Sequence, residues 1–167
     1  MYHIKLGKTG MQVPTIAVGC MRIKNMNEKE ASAFVDTALE LGANFFDHAD
    51  IYGGGRSEEI FGKVVSPSMR ENILIQTKCG IRSGRYDFSY DHIVNAVDGS
   101  LKRLGTDYID VLLLHRPDAL MEPEEVARAF TYLKETGKVR HFGVSNQNPY
   151  QMQLLQNALD MPLCANQ

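Results

Sequence analysis

Apolar, β-branched runs alternate with helix-patterned segments along this chain, and that alternation restricts its fold more than any other feature. The runs are TIAVG from Thr15, ANFFD from Ala43, NILIQTK from Asn72, YIDVLLLH from Tyr108 and VRHFGVS from Val139, followed by a shorter one, LCANQ, from Leu163. Most lack strict polar alternation, which suits strands buried on both faces, as in a parallel sheet. Between the runs, Ala31, Phe34, Val35, Ala38 and Leu39 fall at helical spacing, with Asn27 and Glu30 placed as a capping box and Gly42 as a stop. Ile93, Ala96, Val97, Leu101 and Leu104 form a second stripe closed by Gly105, and Val126, Ala129, Phe130 and Leu133 a third, opened by Pro123 and closed by Gly137. Shorter helices are predicted after Ser57 and after Pro149.

This order implies parallel strands joined by helical crossovers, and two architectures compete for it: an open doubly wound sheet and a (β/α) barrel. A doubly wound nucleotide fold places a glycine fingerprint after its first strand, whereas VGCMRI has one glycine and no GxGxxG. Gly53, Gly54 and Gly55 follow the second strand and lack the Lys-Ser/Thr ending of a phosphate loop, so they are read as turn residues. Asp47 with Tyr52, Lys78, His115, and Ser145 with Asn146 fall at the C-terminal ends of successive strands, where (β/α) barrels assemble their active sites. The expected fold is therefore α/β of the (β/α)8 TIM-barrel type, with residues 1–167 as a single domain.

Charge and composition exclude other classes. The hydrophobic fraction is 44%, the charged fraction 23% and the net charge -2, so no bulk positive field draws in nucleic acid or an anionic membrane. The opening MYHIKLGKTGMQV lacks the basic and apolar regions of a secretion signal, and no apolar run is long enough to cross a bilayer. A cytoplasmic location is expected. Cys20, Cys79 and Cys164 are odd in number and widely spaced, which suggests reduced, partly buried thiols and neither a disulfide framework nor a zinc knuckle. No metal site is expected, His48-x-Asp50 being the one close pair of metal-type ligands and HExxH being absent.

Taken singly, the polar strand-end residues have ordinary explanations: a solvated lysine, a tyrosine capping a core, a loop histidine beside Arg116 and Asp118. Taken together they converge on one mouth. The stretches FDHADIYGGGRSEEIFG, ILIQTKCG, SLKRLGTDYIDVLLLHRPD, LKETGKVRHFGVSN and the terminal NQ resemble those of the aldo-keto reductases in order and spacing. FDHADIYGG, with His48 where many members have Thr, resembles a bacterial oxidoreductase branch of that family. The resemblance covers roughly the N-terminal half to two-thirds of a family member.

The resemblance implies a catalytic tetrad of Asp47, Tyr52, Lys78 and His115. Reducing a carbonyl by hydride builds negative charge on oxygen, so the site needs a proton donor and a polar pocket. A free phenol, with a pKa near ~10, is a reluctant acid at neutral pH, and a lysine cation held against it stabilises the phenolate. Tyr52 would be the acid, Lys78 the group that tunes it, Asp47 the partner that offsets the burial of Lys78, and His115 a neutral imidazole that orients the substrate. By the same resemblance Ser145, Asn146 and Gln167 would hold a nicotinamide carboxamide, the cofactor being NADPH with NAD an open alternative. The residues Ser145 to Asn148 also read as a helix start. Asp50 is left as a loop cap, and His48 as either lining the pocket or packing against the neighbouring strand.

The implied function is an oxidoreductase that reduces a small aldehyde or ketone to an alcohol. A Schiff-base aldolase using Lys78 and a non-catalytic, cofactor-sensing auxiliary protein are the alternatives. Strand starts recur every 24 to 36 residues, against about 31 per unit for a complete barrel. On that spacing the chain reaches only its sixth strand, the last two βα units are absent, and little or no activity is expected of it alone. A fragment of a longer protein, a natural truncation and a half closed by a partner chain are the three accounts. The first is favoured because every implied catalytic position is intact. Open sheet edges would also permit self-association.

Overall fold

The computed structural model describes all 167 residues. It opens with an antiparallel hairpin of β1 (His3–Lys5) and β2 (Gln12–Pro14), which the sequence pattern does not announce. The hairpin turn is closed by the Thr9 hydroxyl, which donates to the Leu6 carbonyl (2.7 Å) and accepts from the Met11 amide (3.1 Å).

The alternating part follows as β3 (Val18–Gly19), α1 (Glu28–Glu40), β4 (Phe45–Asp47), α2 (Arg56–Val64), the short α3 (Pro67–Arg70) and β5 (Leu74–Cys79). A small hairpin of β6 (Ile81–Arg82) and β7 (Arg85–Tyr86) then precedes α4 (Tyr90–Leu104), β8 (Ile109–Leu114), α5 (Pro123–Glu135), β9 (Val139–Val144) and α6 (Pro149–Ala158). Helix ends follow the sequence chemistry. Asn27 and Glu30 form a reciprocal capping box on α1, and Asn148 and Gln151 form another on α6. Gly105 closes α4 in the left-handed conformation at φ 64°.

Two strand expectations need correction. TIAVG contributes only Val18 and Gly19, because this edge segment has β4 alone to pair with. LCANQ forms no regular strand and makes a single parallel bridge, Val144 to Asn166. Helix α2 begins at Arg56, just ahead of its predicted start, and all three cysteines are free and buried rather than partly so.

The five-stranded sheet has the order β3-β4-β5-β8-β9, and every pair is parallel. Each strand adds to the same side of its predecessor, with none of the order reversal that defines a doubly wound sheet. The sheet is therefore of the (β/α)8 barrel type and forms part of such a barrel.

Strand alternation sorts side chains between two faces. Phe46, Ile75, Cys79, Leu112, Leu114, Phe142 and Val144 pack in the large core between sheet and helices, where Phe130 of α5 stacks on Phe142 (ring centroids 4.2 Å apart). Phe45, Val111 and Leu113 point to the other face and cluster with Val13 of the first hairpin and Cys164. Asp47, Gln76 and Lys78 share that inner face by the same period of two, and they continue it to the C-terminal ends of the strands.

Candidate active site

Asp47 ends β4 and Lys78 stands next to the end of β5. The ladder continues past Asp47, with the His48 amide donating to the Gln76 carbonyl (2.8 Å) and the Asp50 amide to the Lys78 carbonyl (3.0 Å). That continuation brings the loop after β4 over Lys78. Consecutive turns follow, Tyr52 to Ala49, Gly54 to Ile51 and Ser57 to Tyr52, and they pass through three glycines at φ 64°, 66° and 95°. The glycines are turn residues, as the sequence suggests. Gly55 has a second reason to be glycine: a Cβ there would lie 2.7 Å from Cδ of Arg103.

The Lys78 ammonium is 2% exposed and is ringed by acceptors. It lies 2.7 and 2.9 Å from the two Asp47 carboxylate oxygens, 2.8 Å from the His48 carbonyl and 3.3 Å from the Tyr52 hydroxyl. Its three N–H groups are thus directed at three partners: the carboxylate, a backbone carbonyl and the phenol. Tyr52 is half-buried, and His115 meets its ring edge-on with centroids 6.0 Å apart.

His115 follows β8 directly and is fixed by its backbone amide, which donates to the Cys79 carbonyl (2.9 Å). Burial first, then the Lys78 and Arg116 cations, lower its pKa to about 4 against the opposing pull of Asp47. The imidazole is therefore neutral near pH 7, and its Nδ1 is buried without a hydrogen-bond partner.

Ser145, Asn146 and Gln167 form a second group at the end of β9. The Ser145 hydroxyl donates to the Gln167 carbonyl (3.1 Å), as does the Asn146 backbone amide (2.8 Å), and Asn146 adopts φ 60°. Two hydrogen bonds join the groups: Asn146 Nδ2 to the His115 carbonyl and Gln167 Nε2 to Asp47 Oδ2, both 3.3 Å. All seven residues singled out from the sequence therefore lie at one end of the sheet. The side chains of Asn146 and Gln167 are exposed and donate through their amide nitrogens, which leaves their amide oxygens as acceptors. The two amide oxygens suit the –NH2 of a carboxamide, and the second N–H of Gln167 Nε2, the first being given to Asp47, suits its C=O.

The remaining candidates sit behind the sheet. His48 is fully buried, edge-on to Phe61 of α2 (centroids 4.5 Å apart), so it packs among helices and does not line the mouth. Asp50 also faces away from the mouth: burial, then Glu58, push its carboxyl up to about 7, with Arg103 opposing.

Sequence reasoning missed two features. Gln76, 5% exposed on the inner face, donates through Nε2 to Asp47 Oδ1. Glu58 is fully buried, accepts from the Thr77 hydroxyl (2.6 Å) beside Lys78, and pairs with Arg103 Nε (2.8 Å). The only sequence signal for Gln76 is its position two residues before Lys78, on the same strand face.

The chain and its fold are similar to known proteins. The model of the aldo/keto reductase family matches residues 15–167. The chain is 42% identical over 177 residues to oxidoreductase YdhF of Escherichia coli, spanning 99% of this chain and 59% of that protein. It is 43% identical to the uncharacterized oxidoreductase YcsN of Bacillus subtilis, spanning 100% and 60% of the two chains. The crystal structure of the thermostable aldo-keto reductase Tm1743 with the inhibitor epalrestat matches with a TM-score of 0.89 at 27% identity, over 99% of this chain and 61% of that one.

The chain belongs to the aldo/keto reductase family. It spans about 60% of the length of these relatives. None of its helices is long and apolar enough to cross a membrane.

Proposed function

We propose that this chain carries the proton-transfer centre of a reductase that converts a small aldehyde or ketone to an alcohol with NADPH, or with NADH in its place. The observation that carries the reading is the Lys78 ammonium set between the Asp47 carboxylate and the Tyr52 hydroxyl. When bound, the nicotinamide cofactor supplies the hydride, and Ser145, Asn146 and Gln167 are the residues that would hold its carboxamide.

The chain's own groups manage the oxygen. As the carbonyl carbon accepts hydride, its oxygen takes up negative charge and needs a proton. Tyr52 gives that proton from its hydroxyl, and the phenolate left behind is stabilised by Lys78 at 3.3 Å. Asp47 keeps Lys78 in place: a buried ammonium without a counter-charge is strongly disfavoured, and Asp47 is 9% exposed. His115, neutral and edge-on to Tyr52, donates one N–H to the same oxygen and so selects the orientation in which the carbonyl meets the phenol.

The same geometry disfavours a Schiff-base aldolase. A nucleophilic lysine needs a free electron pair, and every N–H of Lys78 is turned to an acceptor beside a buried carboxylate. Borohydride treatment with a carbonyl compound is expected to leave Lys78 unmodified.

On this reading the 167-residue chain alone turns over weakly or not at all, since the relatives it matches are longer, and robust turnover by the purified chain would refute that. The activity itself is tested by NADPH oxidation with generic aldehydes in the chain and in the chain extended by the C-terminal part of YdhF. Turnover in the extended form that vanishes in Tyr52→Phe supports the reductase, and unchanged turnover in Tyr52→Phe removes it.

A further inference from the structure

Asp47 and Gln76 are Cα partners across the β4–β5 ladder, and both project to the inner face. Their side chains lie side by side beneath Lys78, two residues further along β5. Around the Asp47 carboxylate the donors divide evenly: Oδ1 accepts from Gln76 Nε2 and Lys78, and Oδ2 accepts from Lys78 and Gln167 Nε2.

A carboxylate turns easily about its terminal bond, since that torsion has broad, shallow preferences. Lys78 alone does not fix the turn, because it sits near both oxygens and can follow either. Gln76 does, since it is 5% exposed, belongs to a rigid inner strand and reaches one oxygen from below. Gln167 reaches the other oxygen from an exposed terminal segment at a longer 3.3 Å. The buried amide is thus the firmer of the two stops.

We infer that Gln76 is a positioning residue: it fixes the rotation of the Asp47 carboxylate and thereby directs one N–H of Lys78 at the Tyr52 hydroxyl. The inference rests on the reductase reading for its catalytic meaning, but the geometry it describes belongs to the chain alone. If Asp47 turns, the ammonium follows it, and the hydrogen bond that breaks first is the long one to Tyr52, at 3.3 Å against 2.7 to 2.9 Å for the others. Removing a hydrogen bond to a charged group is enough to change the phenolate-to-phenol ratio at fixed pH about ten-fold.

The test is a spectrophotometric pH titration of the chain itself without cofactor. The Tyr52 signal is isolated from the other six tyrosines by subtracting the titration of Tyr52→Phe. Lys78→Met sets the size of the lysine's influence. Gln76→Met keeps the side-chain length and removes the donor, and Gln76→Asn keeps the amide but withdraws it by one methylene, so either variant suffices if the other fails to fold. Both are expected to move Tyr52 phenolate formation to higher pH, in the direction of Lys78→Met. An unmoved Tyr52 signal in the Gln76 variants, or in Lys78→Met itself, overturns the inference. Failure of the reductase reading would show separately, as absent NADPH oxidation in the extended chain, and would leave this titration unaffected.

Discussion

Arg103 of α4 and Glu58 of α2 meet behind the candidate active site at 2.8 Å, with the Glu58 carboxylate fully buried and Arg103 stretched across Gly55 of the Tyr52 loop. The second Glu58 oxygen takes the hydroxyl of Thr77, the residue before Lys78. One buried carboxylate therefore ties together the helix that follows Tyr52, the strand that carries Lys78 and the helix α4 that braces both. Removing one partner of a buried ion pair strands the other, at a cost of about 3 kcal/mol or more. Glu58→Ala is expected to lower unfolding stability by that amount in a urea titration. Gly55→Ala is expected to destabilise as well, because it demands φ 95° of an alanine and sets its Cβ against Arg103. A Glu58→Ala variant as stable as the parent would show that the pair does not brace the loop.

Lys78→Met tests the other buried pair. Asp47 would keep its Gln76 and Gln167 donors but lose its counter-charge in a site where it is 9% exposed. A stability loss of about 3 kcal/mol is expected. Adding Asp47→Asn should restore part of it, since the stranded charge is then gone. Urea unfolding of the two single variants and the double variant gives the coupling directly, and strict additivity would contradict a shared buried pair.

A third network lies at the opposite ends of the strands. Asp110 is fully buried and accepts from Arg70 (2.8 Å), Arg140 (2.9 Å) and the Ile75 amide (2.9 Å), while the Tyr108 ring lies between the two guanidinium groups at 3.8 and 4.0 Å. Asp110→Leu takes the counter-charge from Arg70, which is left with the neutral acceptors Thr106, Ile73 and Tyr108, and from Arg140, and leaves a backbone N–H without its acceptor. A loss of about 3 kcal/mol or failure to accumulate as folded protein is expected. Tyr108→Leu removes only the stacking and should cost about 1 kcal/mol. Thermal unfolding of the two variants orders them, and the reverse order would place the stabilising interaction in the ring.

How much of this was legible in the sequence follows from the range over which each feature is determined. Helix α1 is local: Asn27, Glu30 and a stripe from Ala31 to Leu39 specify its start and its buried face within one segment, and the structure has all of them. Asp47 and Lys78 were legible because strand ends are where barrels concentrate polar side chains, and the run of apolar residues marks those ends. Gln76 was not, because its meaning depends on the β4–β5 register that sets it against Asp47, and register is a property of two strands together. Glu58 and Arg103 lie 45 residues apart in segments, RSEE and KRLG, that read as solvated charge. Only the packing of α2 on α4 shows that one of them has no access to water. The hairpin of β1 and β2 escaped because its two strands are three residues each, too short to display alternation.

His48 makes the fold sensitive to acid. The ring is fully buried against Phe61, neither nitrogen has a hydrogen-bond partner, and burial lowers its pKa from 6.5 to about 3, with Asp47 partly opposing and Lys78 assisting. The folded state therefore binds fewer protons than the unfolded state between those two values. The contribution is fully present above pH 6.5 and is lost as pH falls toward 3, at about 1.4 kcal/mol for each pH unit of that window. Other groups titrate in the same range, so the effect is read as a difference between two proteins. His48→Leu, which cannot take up a proton, is expected to show a shallower loss of stability than the parent between pH 6 and pH 4 in urea unfolding. Parallel acid limbs for the two would mean that the imidazole is reached by solvent and is not held neutral by the core.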